Sequence, residues 1–384
     1  MNPIYKQMKT SVFERMSALA TQHRAVNLGQ GFPDFGWPDE ILDAAAQALT
    51  HGSNQYPPSR GLPVLREAVA GHYARHQGLD LTADQICVTS GATEALGAAI
   101  LATVSAGDEV VIFTPAYDSY APMIRRAGAT PREVALRPPS WRIDRDALEA
   151  VVTTRTRAIL FNNPHNPTGR LFDAGELQAV ADVANKHDLT VLSDEVWEHV
   201  LLDGGRFRPI ATLSGMAERT VKAGSAGKIF SLTGWKVGWI VASPEKAAVA
   251  ARAHQFLTFS TAPNLQSAVA FGLAQGDGWI EPMRERFRRA LSRMSHGLAD
   301  AGYEVLKPAS TYFLCVDLKA SGLEVDDETF ASTAVEKAGV ATVPVSVFAE
   351  DEPARHLVRL CFAKRDETID AGVAAMARAR EMFA

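Results

Sequence analysis

A chain of 384 residues, 47% of them apolar and 22% charged, can bury a large core and is expected to divide into two domains. Its net charge of −5 excludes the basic footprint of a nucleic-acid binder. Cys87, Cys315 and Cys361 are scattered, with no CxxC pair, which excludes a disulfide framework or a zinc site and points to a reducing compartment.

In chain order, Ser11 to Ala20 reads as a short amphipathic helix. Ser11 and Glu14 form a capping-box pair, and Val12, Phe13, Met16 and Leu19 share a face. The amino terminus before it, MNPIYKQMKTSVFERM, lacks the apolar core of a signal peptide. No apolar run in the chain approaches the roughly 18 residues of a membrane helix. The expectation is a cytoplasmic protein without membrane or nucleic-acid partners. NLGQGFPDFGWPDE follows, and Pro38 opens a helix through Ile41, Leu42, Ala45 and Leu49. Gly29 and Gly31 would let backbone approach a ligand, though they serve equally as turn residues. Tyr56 sits in a loop running into another Pro-opened helix, with Leu62, Leu65 and Val69 on one side.

Then strands and helices alternate. ICVT (86–89), EVVIF (109–113), RAILF (157–161), TVLS (190–193) and TVKAG just before Ser225 are short β-branched runs separated by helical segments. This pattern implies an α/β fold with a mainly parallel sheet and helices on both faces. Ligands bind such sheets beyond the carboxyl ends of the strands, and every suggestive motif here falls at such an end. After about Gln275 the pattern changes to α+β. WIEPMRERFRRALSRMSHGLADAG reads as a long charged helix, and YFLCVDL (312–318) as a strand. Residues 327–338 and 366–382 read as helices, with the strand LVRLCF after His356 between them. The expected division is a large domain over 37–277 and a smaller α+β domain formed by 1–36 and 278–384.

Ser90-Gly91-Ala92-Thr93 joins a strand to a helix, where exposed N–H groups and the helix dipole favour an anion; small residues at such junctions are also common. Tyr117 is placed to lay a ring on a flat ligand or to pack a loop. Asn166 lies in NNPHNPTGR, whose Asn-Pro steps and Thr168-Gly169 force a rigid non-helical loop. Asp194 follows a buried strand directly. A carboxylate there is costly unless paired, with a helix cap, an ion pair or a protonated ring nitrogen as its partner. In SAGKIFSLTGWKVGW, Lys228 follows Gly227, with Ser225 upstream and Lys236 downstream. A lysine stripped of solvent has a lowered pKa and can form an imine, while the hydroxyl and the second cation would hold an anion. Alone, this stretch would read as a surface loop with two solvated lysines.

In this order the pieces resemble the fold-type I pyridoxal phosphate enzymes, class I/II aminotransferases, and within them the kynurenine, glutamine and methionine aminotransferase branch. The stretches that carry the resemblance are NLGQGFPDF, SGATEA, NNPHNPTGR, SDEVWEHV, SAGKIFSLTGWKVGW and VRLCFAKRDET, so it covers nearly the whole chain. It implies a large domain with a mainly parallel seven-stranded sheet and pyridoxal 5′-phosphate as cofactor, held by Lys228 as an internal imine (Schiff base). Asp194 would pair with the ring nitrogen, Asn166 would donate to the phenolic oxygen, and Tyr117 would stack on the ring. Gly91, Ala92, Thr93, Ser225 and Lys236 would bind the phosphate, with Tyr56 reaching in from the neighbouring subunit of a homodimer whose active sites lie at the interface. Arg359 would clamp the substrate carboxylate with its bidentate fork, helped by the Gly31 backbone and Asn166. His165 and Glu195 are read as structural. Trp197 stands where this family usually has tyrosine; an indole only donates, whereas a phenol also accepts, which bears on how the cofactor is tuned.

The reaction so implied is ping-pong transfer of an amino group from an apolar, aromatic or sulfur-containing α-amino acid to a 2-oxo acid, with Lys228 as general base. The alternatives are a β-lyase acting on cysteine conjugates or cystathionine and, more remotely, a non-catalytic effector-binding module. No strand precedes a GxGxxG, which argues against a nicotinamide dehydrogenase. No metal site is expected. Trp37, Tyr120, Phe259 and Phe348 are candidate pocket aromatics, and Arg252 is the only candidate for a second carboxylate-binding arginine.

Overall fold

The computed structural model of the protein describes residues 1–8, 10–35 and 38–383. Its strands are β1 (Val26–Asn27), β2 (Ile86–Thr89), β3 (Glu109–Thr114), β4 (Thr130–Ala135), β5 (Thr156–Asn162), β6 (Thr190–Asp194), β7 (Thr220–Ser225) and β8 (Gly238–Val241), then β9 (Glu304–Leu306), β10 (Phe313–Asp317), β11 (Val340–Ala341), β12 (Val343–Pro344) and β13 (Leu357–Cys361). β2 to β8 form a seven-stranded sheet in the order β2-β8-β7-β6-β5-β3-β4. Only β8 runs against its neighbours, so the expected, mainly parallel seven-stranded sheet is present.

Every residue of β2, β3, β7 and β8 is buried, as expected of strands covered on both faces. Alternate side chains go to opposite layers. Val111, Phe113, Ile159, Phe161 and Val191 pack on Leu177, Val180 and Ala184 of the helix Ala174–Lys186. Val110, Ile112, Ala158, Leu160 and Val221 pack on Leu96, Ala99 and Ile100 of the helix Ala92–Thr103.

β12, β13, β10 and β9 form a separate antiparallel sheet. The helix Ile280–Asp300 lies beside it and packs on the carboxy-terminal helix Asp366–Glu381. β1 pairs with β11, which ties the amino-terminal segment to the carboxy-terminal part of the chain. Before β1, Ser11 caps the helix Val12–His23: its hydroxyl accepts from Phe13 N–H at 3.3 Å and donates to Asp118 at 3.0 Å.

Beneath the site lies a buried ionic layer. Lys222 of β7 stands 2.7 Å from Glu195 and 2.6 Å from Glu198, and Glu198 also accepts from Tyr73 at 3.0 Å and Gln77 at 2.5 Å. His72 and His199 adjoin it, with their Nε2 atoms 2.8 Å apart. No helix among the described residues is long and apolar enough to cross a membrane.

Candidate active site

The carboxyl ends of β2, β3, β5, β6 and β7 converge on a cleft of about 430 Å³. β7 ends at Ser225, and the single turn Ala226–Ile229 carries Lys228. The turn is tight because a Cβ at Gly227 would meet the Thr233 backbone at 3.0 Å. Lys228 Nζ donates to the Tyr312 hydroxyl at 3.0 Å and lies 4.6 Å from the centre of the Trp197 ring. Burial is the main cause that pushes its pKa down to about 8; Arg359 and Lys236 act in the same direction, and Cys361 and Asp194 oppose it. Its amine therefore loses its proton far closer to neutral pH than an ordinary lysine does.

Asp194 closes β6, buried and facing the cleft. Its carboxylate accepts from the Tyr120 hydroxyl at 2.5 Å and the Val196 N–H at 3.4 Å. Burial pushes its pKa up, while these bonds and Lys228 pull it down. Asn162, the last residue of β5, donates to Asp194 O at 2.9 Å and accepts from Asn166 N–H at 2.8 Å. One asparagine thus sets both the Asp194 strand end and the loop carrying Asn166.

Gly91 caps the helix Ala92–Thr103 at φ 80°, in the left-handed region. A Cβ there would stand 3.1 Å from Lys236 Nζ. Lys236 itself is left-handed, at φ 53°, in the loop that enters β8. A helix N-terminus, a facing ammonium and Ser225 thus share one end of the cleft.

At the other end Arg359 of β13 is 1% exposed. It donates to Asn166 Oδ1 at 2.9 Å and Gly29 O at 3.0 Å, and its guanidinium lies 3.9 Å from the centre of the Phe313 ring. Burial pushes its pKa down to about 10, and its Nε is buried without a partner. A buried guanidinium with an unused donor is poised for an anion.

Of the residues singled out from sequence, Gly31, Gly91, Ala92, Thr93, Tyr117, Asn166, Asp194, Trp197, Ser225, Lys228, Lys236 and Arg359 all line this cleft. Tyr56 does not: it is 85% exposed and packs on Phe259. Tyr120 stands behind Asp194, Phe348 packs on Phe13, and Arg252 is exposed on the helix Pro244–Gln255. Trp37 lies outside the described residues. His165 is buried against Thr168, with its pKa pushed down to about 3 by burial. Glu195 faces Lys222, away from the cleft lining. Sequence reasoning missed Asn162, Phe13, Phe32, Phe313 and Tyr312. Asn162 was signalled as the first residue of NNPHNPTGR; the aromatics had no local signal.

Residues 23–376 match the family model for aminotransferase class I and II. The chain belongs to the class I and II aminotransferases. It is 39% identical over 387 residues to the methionine aminotransferase of Escherichia coli, covering 99% of each chain. It is 33% identical to human kynurenine--oxoglutarate transaminase 1, covering 92% of each. The solved N-succinyldiaminopimelate aminotransferase from Mycobacterium tuberculosis superposes with a TM-score of 0.95 at 42% identity, covering 99% of this chain and 100% of that one. This aminotransferase is therefore a fold-type I enzyme that uses pyridoxal phosphate. The cleft fits that cofactor on chemical grounds. One end offers an anion cradle that a Cβ at Gly91 would fill, and the centre holds a buried carboxylate without a cationic hydrogen-bond partner among the described residues. A lysine with a lowered pKa lies between them.

Proposed function

We propose that this aminotransferase takes apolar, aromatic or sulfur-containing amino acids as donors. The observation that carries this reading is the composition of the cleft wall. Phe13, Phe32, Leu96, Trp197 and Phe313 are among the residues lining the cleft, and Lys228, Lys236 and Arg359 are its only cations among the described lining residues. Arg359 is left to hold the α-carboxylate, and a donor with a second carboxylate finds no further cation in that wall.

In this reading Lys236, Ser225, Gly91, Ala92 and Thr93 would hold the phosphate, Tyr117 would cover the ring, and Asn166 would donate to its phenolic oxygen with Trp197 nearby. Asp194 pairs with the ring nitrogen and keeps it protonated, with Tyr120 fixing the carboxylate. The bound cofactor supplies an electron sink. Lys228 would provide the covalent attachment and, once the incoming amino acid frees it, its Nζ would take and hold the substrate α-proton as general base before returning it. Asn166 and the Gly31 backbone hold the substrate beside Arg359. The second half-reaction runs the same residues in reverse on a 2-oxo acid.

The division into a large domain over 37–277 and a smaller one from 1–36 and 278–384 belongs to the same reading, with the cleft between them. So does a cytoplasmic homodimer. Tyr56, Phe256, Leu257 and Phe259 are exposed on one chain at 85%, 86%, 48% and 41%, an apolar surface suited to a second copy, and Tyr56 would reach the neighbour's phosphate site.

A panel of amino donors tests the specificity, with pyruvate or 2-oxoglutarate as acceptor and keto acid and ammonia followed together. Methionine, phenylalanine and kynurenine are expected to exceed aspartate, glutamate and N-succinyldiaminopimelate in kcat/KM. Preference for a donor with a distal carboxylate overturns the assignment, and ammonia released in step with pyruvate indicates β-elimination instead.

A further inference from the structure

Lys228 shares its corner of the cleft with two rings. Its Nζ lies 3.0 Å from the Tyr312 hydroxyl, 4.6 Å from the centre of the Trp197 ring and 5.3 Å from that of Tyr312. The Tyr312 hydroxyl donates its own hydrogen to Gly31 O at 2.7 Å. With that proton committed, the phenol oxygen meets Lys228 as an acceptor only. Both rings are held firmly. Trp197 and Tyr312 meet edge to face at 4.4 Å, Phe313 lies 5.5 Å from the indole, and Phe287 lies 5.8 Å from the phenol. Neither ring is more than 2% exposed.

An acceptor oxygen and an aromatic face share one electrostatic preference. Each stabilises an ammonium far more than a neutral amine. We propose that Tyr312 and Trp197 form a docking place for Lys228 in its protonated form, so that the lysine, once it has taken the substrate proton, is held by the phenol oxygen and the indole face before it delivers that proton. This rests on Lys228 being the proton carrier of the reading above, and it makes Tyr312 and Trp197 positioning residues. It also gives the indole a task for its face rather than its N–H.

The other groups around the amine act on the same equilibrium. Asp194 favours the ammonium, and Arg359 and Lys236 oppose it. The Cys361 thiol is pushed up by burial and is uncharged near neutral pH. Burial pushes Lys228 down to about 8, and the docking place acts against that burial.

Tyr312→Phe keeps the ring and deletes the acceptor; Trp197→Leu deletes the face. In the full-length chain freed of cofactor, the rate of acetylation of Lys228 by acetic anhydride is followed against pH by peptide mass spectrometry. The exposed Lys319 serves as internal standard. The Lys228 midpoint is expected to fall by about one pH unit in each variant, a tenfold loss of proton affinity, while the Lys319 midpoint stays. A Lys228 midpoint unchanged or raised in both variants overturns the proposal. Should either variant fail to fold, Trp197→Phe replaces it: a smaller fall in the same direction supports the proposal, and no fall overturns it. Borohydride reduction of the wild-type holoenzyme separates the two levels. Cofactor trapped on Lys228 with unshifted variant midpoints sinks only this inference, whereas trapping on another lysine sinks the reading beneath it.

Discussion

In the proposed reading Lys228 contributes one amine to two tasks, attachment and proton transfer. Lys228→Ala is therefore expected to bind the cofactor weakly and to lose several orders of magnitude in turnover, as read by visible absorbance and steady-state rates. Appreciable turnover by that variant would remove Lys228 from both roles. Arg359 acts through geometry, because its fork already spans Asn166 and Gly29 while leaving Nε unused. A point charge cannot reproduce this, so Arg359→Lys should weaken carboxylate binding by on the order of 1.5–3 kcal/mol. KM should then rise roughly ten- to hundredfold for every amino donor alike, and a rise confined to some donors would put Arg359 at the side-chain end of the cleft. At this scale the motif residues were legible because each sits in a short stretch whose chemistry is local. Tyr312 was not, and Tyr120 was marked only as a pocket aromatic without its bond to Asp194, since their partners Lys228 and Asp194 lie 84 and 74 positions away, and only the fold brings them together.

Among the elements, β7 has two parts with different duties. Its carboxyl end carries the lysine turn, and its middle holds Lys222 between Glu195 and Glu198. Lys222→Met would leave two buried carboxylates without their cation, which costs about 3–5 kcal/mol. A large fall in melting temperature is expected, with the catalytic groups untouched; a melting temperature unchanged from the wild type would show that the carboxylates protonate or rearrange at little cost. β2, β3, β5, β6 and β7 were legible as β-branched runs because both of their faces are covered. β4 and β8 escaped such reading for separate reasons. β4 is an edge strand, TPREVA, exposed and half-buried by turns with only Val134 buried, so its pattern is mostly polar. β8, GWIV, begins inside the lysine stretch, and its antiparallel return had no sign of its own. The helix expected over 327–338 is interrupted: Asp327–Thr333 is α-helical and Ala334–Ala338 is a π-turn, a register change that periodicity does not reveal.

For the molecule as a whole, buried neutral histidines couple stability to pH. Burial, helped by His199, pushes His72 down to about 2; burial, helped by Arg170, pushes His165 to about 3; and burial pushes His199 well down. All three bind protons more readily when unfolded, where a histidine titrates near 6.5. Their contribution is complete above about pH 6.5 and is lost as pH falls toward the folded values, at about 1.4 kcal/mol per pH unit for each. Asp194 and Glu195, pushed up by burial, work against this loss at the acidic end. Urea unfolding at pH 7.5 and 5.5 is expected to give a lower midpoint at the acid value, and His165→Gln should flatten that difference; equal midpoints would mean that the histidines protonate within the fold. The hydrogen bond from Arg359 to Gly29 has a consequence of another kind, since it joins residues 330 positions apart. A chain still leaving the ribosome, at about 5–20 residues per second, holds Asp194 and Lys228 long before it holds Arg359. The residues that the proposed reading assigns to the cofactor are thus synthesised well before the one it assigns to the substrate carboxylate. The amino-terminal loop that carries Gly29 must therefore wait for nearly the last residues before this bond can form.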